Sequence, residues 1–121
     1  MTDNAPWPRS LSYSRAERAL RVAFEDGSAF ELPAEYLRVE SPSAEVQGHG
    51  ASTKTIVPGK RQVAIRAIEP VGQYAVRLIF DDGHDTGLYS WTYLHELGRQ
   101  QASRWSEYEQ RLVQHGLKRD P

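Results

Sequence analysis

The chain has no cysteine. Disulfides, thiolate catalysis and iron–sulfur ligation by its own sulfur are thereby excluded. An excess of charge of either sign is also missing: fifteen Lys/Arg stand against sixteen Asp/Glu, a net charge of −1. The balance holds in each half, seven against eight over residues 1–60 and eight against eight over 61–121. No basic field is present to hold a phosphate backbone, so nucleic acid is not expected as a partner. There is no apolar run near the ~20 residues that a membrane helix needs, and no membrane partner is expected. Residues 1–10 lack the basic-then-apolar order of a secretory signal. A cytoplasmic location is the expectation.

What is present suits one globular domain. The 121 residues are 39% apolar and 26% charged, enough for a hydrophobic core without staples. Two stretches read alike. Leu20 to Leu37 runs through Arg21, Phe24, Asp26-Gly27 and Leu32 to Tyr36-Leu37. Val76 to Leu94 runs through Arg77, Phe80, Asp82-Gly83 and Leu88 to Tyr93-Leu94, with one extra residue after Leu88. An Asp-Gly pair between apolar runs signals a hairpin, and a type I′ turn would need positive φ at both central residues. Each stretch therefore predicts a strand, a tight turn, a return strand and a short helix.

Around these units the chain falls into three parts: a flexible arm over 1–15, the paired units over 16–98, and a C-terminal helix with its tail over 99–121. Pro33 suits the first turn of the helix after the first hairpin. Residues 41–60 hold Gly48-His49-Gly50 and few large apolar side chains, so this connection is either functional or merely disordered. Val63–Ile68 reads as a strand, Pro70–Gln73 as a turn, and Tyr74–Phe80 as the clearest strand, with Tyr74, Val76, Leu78 and Phe80 on one face. Ser90 is a good N-cap for a helix that Gly98 would end. Arg99–His115 predicts a longer helix with an apolar stripe of Ala102, Trp105, Tyr108 or Glu109, and Leu112. The fold class is α+β, a small, mostly antiparallel sheet of about five strands built from two related hairpin–helix units, plus the C-terminal helix.

Enzyme signatures fail in turn. His95-Glu96-Leu97-Gly98-Arg99 starts like a zinc-protease helix but carries Arg99 where the second histidine belongs. Gly48-His49-Gly50 lacks a preceding strand and a third glycine, and Gly59-Lys60 lacks the rest of a P-loop. No serine sits in a nucleophile elbow. An independent catalytic centre is not expected. The candidate site residues are therefore binding residues. His84 could ligate a metal weakly with His49 or Asp85. Neighbours on a strand point to opposite faces, however, so His84 and Asp85 could share an ion only across a bulge. The bland reading, polar residues at a hairpin tip, is favoured. Arg77, Tyr89 and Trp91 are candidate contact residues, though each also has a structural reading: an ion pair with Asp85 for Arg77, and packing for the aromatics.

The Asp-Gly hairpins occur together with Ser-Pro-Ser-Ala-Glu-Val at 41–46, Gly59-Lys60-Arg61, Ile68-Glu69-Pro70-Val71-Gly72 and the segment from Asp81 to Leu97. With these, the chain over about 16–98 resembles the gamma-butyrobetaine hydroxylase N-terminal-like family, in small stand-alone form. The resemblance implies a non-catalytic module, either alone, ahead of an oxygenase domain or fused to iron–sulfur-carrier ATPases. It therefore implies a protein partner and a setting in metal or iron–sulfur metabolism. It also implies a zinc site of three cysteines and a histidine, whose positions fall here on Ser41, Ser43, Val46 and His84. Neutral serine hydroxyls and a valine cannot replace thiolates around zinc. The thiolate zinc site is therefore not expected, and only weakly bound iron or zinc remains open as a cofactor.

Overall fold

A computed structural model describes residues 6–47 and 54–121 of the chain; His49 and the glycines beside it lie outside the described residues. Strands β1 (Pro8–Ser14), β2 (Ala19–Phe24) and β3 (Ala29–Pro33) form an antiparallel meander that leads into helix α1 (Ala34–Val39). A single helical turn, α2 (Ala44–Gln47), follows. Strands β4 (Ile65–Val71), β5 (Ala75–Phe80) and β6 (Leu88–Ser90) form a second meander, leading into α3 (Trp91–Arg99) and then α4 (Gln101–Gln114). The class is α+β, as expected, but with two three-stranded sheets in place of one sheet of about five strands. Each meander has one apolar face, and the two faces meet in a common core instead of joining edge to edge. Leu20, Val22, Phe24 and Leu32 share that core with Val76, Leu78, Phe80 and Tyr89.

Part of the expected flexible arm is a strand. β1 alternates serines with Leu11 and Tyr13, which pack on the core. Serine is a weak strand former, and the proline is tolerated because β1 lies at a sheet edge. The same edge tolerance lets β4 run through Pro70 to Val71, where a turn was expected. Tyr74 precedes β5 and is exposed, so only Val76, Leu78 and Phe80 of its expected face are buried.

The repeat therefore covers three strands, and its details coincide. Pairing slips between Pro8 and Ser10 opposite Phe24 and Ala23, and between Ile65 and Ala67 opposite Phe80 and Ile79. Both hairpin turns close with a Gly N–H donating to a Phe carbonyl, Gly27 to Phe24 at 3.1 Å and Gly83 to Phe80 at 3.2 Å. Each glycine has positive φ, +91° and +93°, but neither aspartate does. The turns are thus type I followed by a left-handed glycine, not the expected type I′. Strand register also corrects the alignment. Leu20 pairs with Leu32 and Val76 with Tyr89, so Tyr89, not Leu88, is the counterpart of Leu32. Leu88 sits on the outer face, half exposed. The extra residue of the second copy consequently lies before β6, in the return limb after His84.

The two units exchange contacts. The Tyr36 hydroxyl donates to the Leu97 carbonyl at 2.7 Å, and the Tyr93 hydroxyl donates to the Glu40 carbonyl at 2.5 Å. Asp26 of the first turn bonds His95 on α3 at 3.0 Å, while Asp82 of the second bonds Arg38 on α1 at 2.8 Å. Tyr36 and Tyr93, Glu40 and Leu97, and Arg38 and His95 occupy equivalent repeat positions, so the halves are related by an approximate two-fold.

Ser90 caps α3 as expected, accepting the Tyr93 N–H, whereas Pro33 is the N-cap of α1 and not part of its first turn. Gly98 does not end α3. It lies inside the helix, and the Phe30 ring, 2.3 Å from where a Cβ would be, leaves room for no larger residue. Helix α4 buries Tyr108 and Leu112 against Val39, Ile56 and Val57; Trp105 is partly buried, while Ala102 and Glu109 of the expected stripe are exposed. Gly116, at φ +66°, and the Leu117 N–H bond to the Leu112 carbonyl stop α4 in a Schellman motif. The tail then folds back. Arg119 makes a forked ion pair with Glu35 and covers the Trp105 ring at 5.1 Å.

Candidate functional site

The extra residue before β6 decides where His84 goes. Asp82 Oδ1 accepts the His84 N–H at 3.1 Å, just as Asp26 Oδ1 accepts the Ser28 N–H at 2.9 Å in the first copy. Beyond this point the second limb is irregular until Leu88. The His84 side chain turns inward and is only 4% exposed, whereas Asp85 is 51% exposed. The inward path ends at the segment after α1. There Ser41 is fully buried and Ser43 nearly so. The Ser43 carbonyl accepts the Val46 and Gln47 N–H groups, and the Gln47 side chain donates to the Ser41 carbonyl. The segment is thus tied into one turn around the imidazole.

Ser41 Oγ lies 2.9 Å and Ser43 Oγ 3.4 Å from His84 Nε2, and the two hydroxyls are 3.3 Å apart. On the other side of the ring, Nδ1 is 3.1 Å from Glu45 Oε1, which also accepts the Thr86 hydroxyl. Burial, reinforced by the Arg38 charge, pushes the His84 pKa below its usual value, and the solvent-exposed Glu45 does not reverse this. A neutral ring satisfies every neighbour in one tautomer: Nδ1–H donates to Glu45, and Nε2 accepts from Ser41.

Serine, histidine and carboxylate in this order have the connectivity of a nucleophilic triad. The geometry denies it that use. Ser41 is 0% exposed, and a Cβ on Gly87 would sit 2.7 Å from its Oγ. No acyl group could approach a hydroxyl packed that closely. The knot is structural: it holds the turn after α1 to the second hairpin.

The site continues through Asp82. Its Oδ2 takes both Arg38 Nε, at 2.8 Å, and Lys60 Nζ, at 2.6 Å. Burial opposes ionisation there, but bonds from Lys60, the His84 amide and Arg38 hold its pKa down at about 2. Arg38, Lys60 and His84 line a cleft of about 370 Å³ whose apolar wall is Val46, Ile56, Val57 and Pro58.

The structure separates the residues proposed from sequence. His84 and Asp85 turn to different partners, and His49 lies outside the described residues, so the proposed metal set is not brought together. Arg77 lies on the outer face of the second sheet, bonded to Glu69 at 2.6 Å and 3.9 Å from Asp85 Oδ2. The Tyr89 ring is fully buried, with its hydroxyl donating to the Leu37 carbonyl at 2.5 Å. Trp91 is partly exposed and donates its indole N–H to the Gln73 carbonyl. Sequence reasoning missed Arg38, Lys60 and Glu45. The signal for Arg38 was the repeat itself, which aligns it with His95.

Ser41, Ser43 and His84 do converge, where the family resemblance places zinc ligands, and Val46 lines the adjoining cleft. The donors present are two neutral hydroxyls and one imidazole, and Val46 supplies none. That set does not fit a zinc ion.

Comparison with known proteins bears on the whole chain. A family model described as gamma-butyrobetaine hydroxylase-like, N-terminal, matches residues 11–95. Two proteins solved by solution NMR are similar throughout, each with a TM-score of 0.85. One is 42% identical, covering 98% of this chain and 93% of its own, and the other is 47% identical, covering 100% and 92%. A crystal structure of a protein of unknown function from Acidithiobacillus ferrooxidans, of the DUF971 family, is 37% identical over 80% of this chain and 98% of its own. Its TM-score is 0.67. No curated protein matches the chain.

Proposed function

The chain belongs to the gamma-butyrobetaine hydroxylase-like, N-terminal family, and on that premise we propose that it is a non-catalytic module that docks a partner protein. One observation carries the reading. Trp7 and Tyr74 pack together at 5.6 Å across the junction of the two meanders, yet remain 47% and 66% exposed. Both are held from behind. The Trp7 carbonyl accepts the Glu25 N–H, and the Tyr74 carbonyl accepts the Trp91 N–H. Val71, also exposed, is three residues from Tyr74. Exposed aromatics set on a fixed backbone are the side chains that most often dominate interface energetics. The family likeness, not the geometry, suggests metal or iron–sulfur metabolism as the partner's setting.

The test compares affinity capture from host lysate by the native chain and by a Trp7→Ala/Tyr74→Ala variant. Both should show the same circular dichroism, since neither side chain is part of the core. A protein held by the native chain and released by the variant supports the reading. Equal recovery by both, or recovery by neither, overturns it.

A further inference from the structure

The cleft beside His84 has the chemistry of a small-molecule site. Arg38 and Lys60 converge on one oxygen of one carboxylate, Asp82 Oδ2, so two cations share a single anionic partner at that end of the cleft, while Glu45 stands beside His84. Arg38 is poorly satisfied for a guanidinium. Only its Nε has a protein partner among the described residues, and Nη1 is buried with none. A buried donor without an acceptor is costly, and an arginine fork is shaped for two carboxylate oxygens. The wall opposite the charges is apolar, formed by Val46, Ile56, Val57 and Pro58. At about 370 Å³ the volume is at the lower end for a ligand pocket. The neighbouring cleft along α4 differs, because its buried Glu40 already pairs with both Lys54 and Arg104.

We propose that this cleft binds a small organic monocarboxylate, its carboxylate at Arg38 and Lys60 and its short apolar chain against Ile56, Val57 and Pro58. Two cations that share one carboxylate oxygen keep donors free for a further carboxylate. The Glu45 carboxylate on the cleft wall disfavours a dianion such as phosphate. The apolar wall favours a carbon chain over a bare inorganic ion. The proposal goes beyond partner docking and is independent of it, because Trp7 and Tyr74 line no part of the cleft.

The test titrates ¹⁵N-labelled chain with butyrate, with 1-butanol as the uncharged analogue, and with inorganic phosphate. Butyrate should move the amides of Arg38, Val46, residues 55–57, Gly59, Lys60 and His84 saturably, and 1-butanol should not. Phosphate should bind at least roughly ten-fold more weakly than butyrate. Lys60→Gln leaves Asp82 paired to Arg38 and should weaken butyrate about ten-fold with an unchanged circular dichroism spectrum. The Trp7→Ala/Tyr74→Ala variant should bind butyrate like the native chain, so failure of the docking reading would leave this result standing. Equal shifts with 1-butanol, tighter binding of phosphate, or no saturable shift with millimolar butyrate would each overturn the proposal. Those three readings use the native chain and do not depend on any variant folding.

Discussion

Burial and the Arg38 charge hold the His84 ring toward its neutral form, in which Nδ1–H donates to Glu45 and Nε2 accepts from Ser41. The consequence for stability has a definite sign. The folded pKa lies below the ordinary 6.5, so below that pH the unfolded chain takes up a proton that the folded chain resists. The stability tied to His84 is complete above about pH 6.5 and is lost as pH falls from there toward the folded pKa. Asp26 and Asp82, both held at about 2, titrate well below this window. Denaturant unfolding at pH 7.5 and pH 5.5 should therefore show a loss in the native chain that is smaller in His84→Gln. The slope from one proton cannot exceed about 1.4 kcal/mol per pH unit. Equal slopes in the two proteins would mean that the ring is not held neutral. Asp82 at the same site was visible in the sequence only as a turn former. Its ion pairs with Arg38, 44 residues earlier, and with Lys60 are long-range and leave no local pattern.

Among the elements, the hairpins and α3 were legible because their signals are local. Asp-Gly pairs, alternation in Val76–Phe80 and the Ser90 cap each act within a few residues. The misplaced features depend on packing. β1 was hidden because an edge strand of alternating serines looks like a loop, and Gly98 looked like a helix stop because Phe30 is distant in sequence. Helix α4 tests the same distinction. Its stripe predicted burial, but the structure centres that burial on Tyr108 and Leu112, with Trp105 bridging the two clusters. The Trp105 ring meets Tyr36 edge-on at 6.2 Å and Tyr108 at 5.1 Å, with Arg119 over its face. Trp105→Ala should cost about 3 kcal/mol, the lower end for a tryptophan because the ring is only partly buried. It should also loosen the tail, seen as faster amide exchange at Gly59 and Arg61, whose N–H groups bond to Lys118 and Arg119 carbonyls. A thermal midpoint unchanged from the native chain would show that α4 is not docked as described.

At the scale of the whole molecule, stability comes from two copies of one unit locked by exchanged contacts. Tyr36 reaches the end of α3, Tyr93 reaches the end of α1, and the inner faces of both sheets share one core. In this arrangement the knot at His84 fills the place where the family resemblance puts a metal ion. Hydrogen bonds among Ser41, Ser43, His84 and Glu45 make the connection that thiolates around an ion would make. The chain should therefore keep its melting temperature after exhaustive chelation, and added zinc should not raise it, because a ligand stabilises only the state that binds it. The converse is the sharper test. Ser41, Ser43 and His84 already place three polar atoms within 3.4 Å of one another. Thiols at two of those positions and at Val46 would complete a three-thiolate, one-histidine set. The triple variant Ser41→Cys/Ser43→Cys/Val46→Cys should then bind zinc stoichiometrically, with a melting temperature that falls on chelation. Zinc-dependent melting of the native chain would show that oxygen donors suffice here. A triple variant that ignores zinc would show that the backbone around residues 41–46 has moved away from a ligand geometry along with its side chains.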